Sequence, residues 1–170
     1  MQHNHLTHLI EQYLNESNTL YMFHIALGIK TSVPIWLMNN ASWFGHVAVL
    51  NWCKESKLEM RWNTDAIDLA SENGHIAVLD WWKDSGLNMK WSYRAMDYAS
   101  NNEHVEVLKW WKDSGLEMRW TWIPLYFAVQ ESHIAVQEWW KESGLIEKDS
   151  IEIDCLDRTM QRYIVNLYKP

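Results

Sequence analysis

Cysteine is nearly absent: Cys53 and Cys155 are the two in 170 residues. Two thiols at unrelated positions cannot build the disulfide framework of a small secreted scaffold. The expectation is a reduced, intracellular protein, cytoplasmic by default. Long apolar runs are also lacking, and none approaches the roughly 18 residues a membrane helix needs. The opening MQHNHLTHLI has neither the basic start nor the apolar block of a secretory signal. Positive charge is scarce, with 15 Lys and Arg against 22 Asp and Glu and a formal net charge of −7. Non-specific nucleic-acid affinity rests on neutralising many phosphates, so neither a nucleic acid nor an anionic membrane is an expected partner. Catalytic motifs are missing too: no P-loop, G-x-G-x-x-G, H-E-x-x-H, C-x-x-C or G-x-S-x-G occurs. No enzyme, cofactor or metal is expected.

What the chain has instead is tryptophan, 13 residues of it, and repetition. His46, His75, His104 and His133 are 29 residues apart, and Trp52, Trp81, Trp110 and Trp139 keep the same step. Leu58, Leu87, Leu116 and Leu145 keep it again. A fixed period of this size marks a stack of small units, none able to bury its apolar face alone. The reading is one all-α repeat domain over 1–170, an α-solenoid of helix-turn-helix units. A degenerate unit occupies 1–30, repeats cover about 31–62, 63–91, 92–120 and 121–149, and a capping helix closes 150–170.

Each repeat follows one grammar. Asn63, Ser92, Thr121 and Ser150 stand where a first helix should begin, and their side-chain oxygens suit the free N–H groups of a first turn. A turn follows, written Phe44-Gly45, Asn73-Gly74, Asn102-Glu103 and Glu131-Ser132, so its chemistry is only partly kept. A second helix starts at the histidine and ends at Gly86, Gly115 or Gly144. The links LEMRWN, LNMKWS and LEMRWT alternate apolar with polar residues, the period of an extended segment with one buried side. The last, LIEKDS, loses Met and Trp.

The pattern resembles a divergent ankyrin repeat. Ile123-Pro124-Leu125-Tyr126-Phe127-Ala128 echoes the first-helix motif of that family, and Gly74-His75-Ile76-Ala77-Val78-Leu79 with the later Gly86 echoes the rest. The period is four residues short of the usual 33. The shortfall lies between the second helix and the next first helix, where the family has a β-hairpin finger, so that finger is expected to be stunted. A tandem helix-pair solenoid of another type fits the same period. The resemblance implies binding of a partner protein on the concave side, through first helices and links, without catalysis.

Columns that stay constant within the chain are explained by stacking, and columns that vary are free for a partner. Ten tryptophans fall in the constant columns 52/81/110/139, 82/111/140 and 62/91/120, and are assigned to packing. Trp36 and Trp43 are assigned to the core of a degenerate unit. The candidate partner-binding residues come from variable first-helix columns: Thr64, Tyr93 and Trp122; Asp65, Arg94 and Ile123; Asp68, Asp97 and Tyr126. The histidine column reads as a hydrogen-bonding spacer between turns, since packed helices roughly 8–10 Å apart keep its members from sharing one metal. The basic columns 54/83/112/141 and 61/90/119/148 read as a solvated face, and Cys53, in a tryptophan column, as a buried thiol. A monomer is expected ahead of the alternative, a self-associating structural module. An enzyme built on Glu152, Asp154 and Asp157 would need a pocket that such an architecture rarely supplies.

Overall fold

The period becomes a repeated pair of helices. The computed structural model describes residues 32–145. There α1 (Ile35–Trp43) precedes α2 (Val47–Glu55), α3 (Asp65–Glu72) precedes α4 (Ile76–Asp84), α5 (Arg94–Asn101) precedes α6 (Val105–Ser114), and α7 (Ile123–Gln130) precedes α8 (Ile134–Ser143). Two short strands, β1 (Ser32–Val33) and β2 (Glu59–Met60), pair in parallel, with Ser32 opposite Glu59 and Val33 opposite Met60. The described residues are mostly helical, as an all-α reading requires. The expected opening unit of 1–30 and the closing helix of 150–170 with its Ser150 cap lie outside the described residues.

Local chemistry sets every boundary. His46, His75, His104 and His133 each sit just before a second helix with nearly the same backbone, φ between −86° and −74°. The turn before them needs a left-handed residue in every unit. Glycine supplies it at Gly45 and Gly74, while Glu103 (φ 59°) and Ser132 (φ 60°) adopt it at a cost of roughly 1–2 kcal/mol. The conformation is therefore kept even where the residues are not. Second helices end alike: the Ser85, Ser114 and Ser143 hydroxyls donate to the Trp82, Trp111 and Trp140 carbonyls at 2.7–2.8 Å. The same oxygens accept the N–H of Leu87, Leu116 and Leu145.

The first-helix caps differ in detail from expectation. The helices begin after Thr64, Tyr93 and Trp122, one residue beyond the expected caps, and those three already have helical backbone. Ser92 and Thr121 still do the capping work. Their hydroxyl oxygens accept the N–H of Arg94 and Ile123, each at 3.2 Å. Asn63 does not, because its amide donates instead to Asp65 Oδ2 at 2.9 Å.

First helices contact one another in chain order, α1 to α3 to α5 to α7, and second helices do the same. Between the two rows lies the apolar core, drawn from Ala66, Ile67 and Ala70 of α3, Val78, Leu79 and Trp82 of α4, and their counterparts. In the links Leu, Met and Trp are half-buried while the polar residues between them are exposed, the expected alternation; the closing Ser92 and Thr121 are half-buried.

Candidate partner-binding surface

The constant columns are consumed by bonds between units. Trp82, Trp111 and Trp140 are fully buried or nearly so, and each indole N–H donates to a serine 40 residues earlier: Ser42, Ser71 and Ser100, at 3.1–3.2 Å. The neighbouring Trp81, Trp110 and Trp139 meet them edge-on, with centroids 5.0–5.2 Å apart. Link residues Trp62, Trp91 and Trp120 close the other side at 5.6–5.9 Å. A unit of about thirty residues thus gains a core from three large rings, each of which bonds into a neighbouring unit: Trp81 and Trp110 donate to Asn51 and Asp80 at 2.7 and 2.6 Å, and Trp62 and Trp91 to the carbonyls of Asn88 and Glu117 at 2.9 and 3.0 Å. Cys53, where a fourth indole would stand, is buried, and desolvation pushes its thiol up to about 12, which leaves it inert.

The basic columns are more than a solvated face. Lys54, Lys83 and Lys112 donate to the carbonyls of Ser85, Ser114 and Ser143 at 2.8–3.0 Å, each reaching the end of the next second helix. Cations suit that helix end, where unpaired carbonyls concentrate negative charge. Lys90 and Arg119 lie over the Trp62 and Trp91 rings at 5.3 and 5.4 Å and donate to the carbonyls of those same tryptophans. The constancy of these columns was the available sign of a role between units; reading interleaved charge as solvation passed over it.

The histidines also serve the seams. His75 Nε2 lies 2.8 Å from the Trp43 carbonyl, and its ring covers Gly45 so closely that an added Cβ would meet it at 2.9 Å. His104 covers Gly74 in the same way. Burial, and then the nearby His75, hold His46 below its ordinary value. Among the described residues no group of three or more His, Cys, Asp or Glu is placed to hold a metal ion.

The nine candidate residues divide in two. Asp68 and Asp97 are buried, at 2% and 4% exposure. The Asp68 carboxylate accepts the N–H and hydroxyl of Ser92 at 2.9 and 2.6 Å, and Asp97 accepts those of Thr121 at 2.9 and 2.5 Å. They pin each first helix to the start of the next, so they leave the candidate surface. Desolvation, only partly offset by these bonds, raises both carboxyls above their ordinary value. The other seven line up on consecutive first helices. Tyr93, Trp122 and Ile123 are 48%, 45% and 42% exposed. Arg94 is exposed, Thr64, Asp65 and Tyr126 are half-buried, and Tyr126 meets Trp122 edge-on at 5.9 Å.

Two features escaped the reading of the sequence. Leu69, Tyr98 and Phe127 share a variable column on this face, and Phe127 is 43% exposed. Their variability was the signal, hidden because leucine and tyrosine in a short helix look like core. Trp43, assigned to the core, is 42% exposed, a correction explained by its column: it stands with Glu72, Asn101 and Gln130 at the solvent side of the first-helix ends. Trp36 does pack against the core. No helix among the described residues is long and apolar enough to cross a membrane. Comparison with family models, curated proteins and solved structures finds no match to the chain.

Proposed function

We propose that the chain is an α-solenoid of ankyrin type, its fingers reduced to extended links, that binds another protein through the first-helix face and performs no chemistry. The observation that carries this reading is what remains once the units have been bonded together. Indoles, lysines, histidines and buried aspartates are spent on seams, while Tyr93, Trp122, Ile123 and Phe127 stay exposed on adjacent first helices. Large aromatic side chains held on a rigid surface are the usual centres of binding energy. Helices already packed lose little freedom on association, which favours affinity. The proposed setting is the cytoplasm, with the protein acting as a monomer.

A photo-crosslinking amino acid at Tyr93 tests the reading in the native cell, with exposed Lys109 on a second helix as the control position. Attachment to another protein from position 93 and not from 109 is the expected result. Attachment from both positions alike, or from 109 alone, would remove the first-helix face from the account.

A further inference from the structure

The charge and ring pattern of the first-helix face narrows the class of partner. Within the described residues the fold repeatedly seats a cation on an indole: Lys83 over Trp110 at 5.9 Å, Lys90 over Trp62 at 5.3 Å, and Arg119 over Trp91 at 5.4 Å. Trp122 is exposed, set perpendicular to Tyr126 (89°), and no cation of the described residues lies over it. Indole faces carry negative potential, so an unoccupied one at the surface attracts an ammonium or guanidinium group.

Nearby charge has the same sign. Asp65 and Glu72 belong to α3, and Glu103 and Glu131 to the turns after α5 and α7. Among the described residues none of these four pairs with a Lys or Arg, although Glu103 lies 3.5 Å from His133 Nε2 and Asp65 accepts the amides of Asn39 and Asn63, and Arg94 is the one cation on the first helices. The cations that might have offset them are engaged elsewhere, Lys54, Lys83 and Lys112 on carbonyls and Arg61 on Glu59. The face is therefore acidic in balance, with Arg94 the exception, and carries exposed rings at Trp43, Tyr93, Trp122 and Phe127.

We propose that its partner is a basic peptide segment in which Arg or Lys side chains are interspersed with apolar ones. One cation seats on Trp122, others stand opposite Asp65, Glu72 and Glu131, and the apolar residues cover Tyr93, Ile123 and Phe127. The inference rests on the first-helix face being the binding surface.

Selection of a random dodecapeptide phage library on the intact chain tests it. Enriched peptides should be net positive with apolar residues between the charges. Replacing their arginines by citrulline, which keeps the shape and removes the charge, should weaken binding, as should added salt. Trp122→Ala should weaken it about 2- to 30-fold, the span of one exposed to desolvated cation–ring contact. Trp122→Phe should restore most of that, and Asp65→Asn with Glu72→Gln should reduce the salt dependence. Neutral or acidic peptides that still compete for this face would overturn the basic-partner inference and leave the binding face standing. Basic peptides that bind a Tyr93→Ala/Trp122→Ala variant as well as the parent would overturn both, as would no enrichment at all.

Discussion

Removing one tryptophan from a seam and one from the face should have very unequal consequences. Trp111 is fully buried, packs against Trp110 and Trp91, and donates to the buried hydroxyl of Ser71 in the preceding unit. Trp111→Ala forfeits about 3–5 kcal/mol of burial and cavity energy. The stranded Ser71 oxygen adds roughly 1 kcal/mol. With a urea slope of about 2 kcal/mol per molar, a loss near 5 kcal/mol moves the unfolding midpoint down by about 2.5 M. A broken central seam should also broaden the transition, because stability in a stack is a sum of units and their interfaces. Trp122→Ala removes a half-exposed ring whose ring contact is an edge-on meeting with Tyr126. That loss should stay at about 1 kcal/mol or below, with the transition unchanged in shape. Urea titration followed by far-ultraviolet circular dichroism reads both variants. Equal losses at the two positions would refute the division between stacking and free tryptophans.

Two further outcomes follow from the turns and the buried carboxylates. Asp97 has its carboxyl raised above the ordinary 3.8 by desolvation, so the folded state holds the proton more tightly than the unfolded chain. Its contribution to stability is complete below 3.8 and is lost as pH climbs through the folded value. The urea midpoint of Asp97→Asn relative to the parent should therefore rise as pH increases from 4, and a constant difference would contradict this. Gly74→Ala should cost clearly more than Gly86→Ala. Both sites have φ near +75°, but a Cβ at 74 meets the His104 ring at 2.9 Å while one at 86 meets nothing within 4 Å. Thermal denaturation compares them, and equal losses would remove the histidine from the packing of the turn.

Much of this molecule could be read from spacing alone, because each unit meets the same neighbour and so repeats the same residues. The histidine starts, the second helices that stop before Gly86, Gly115 and Gly144, and the Trp82, Trp111 and Trp140 cores follow from columns that do not vary, and the buried Cys53 from its place in one of them. What spacing concealed was where a polar column is spent. Asp68 and Asp97 gave way to Tyr126 along the chain and so looked like surface, yet each carboxylate reaches 24 residues forward to hold the next unit. Lysine columns looked solvated because the carbonyls they bond belong to the following helix, a geometry no pattern of charge discloses. Phe127 could not be told from core, because an exposed face and an inward face here use the same kinds of apolar residue.

Writing residues 63–91 twice in tandem is the most direct measurement of whether each unit is sealed to the next by repeated bonds. The added copy carries its own Ser71 acceptor, Trp82 donor, Lys83 cap and Asp68 strut. The lengthened chain should fold with proportionally more helix and a higher urea midpoint. A chain that aggregates, or unfolds at a lower midpoint than the parent, would contradict the account.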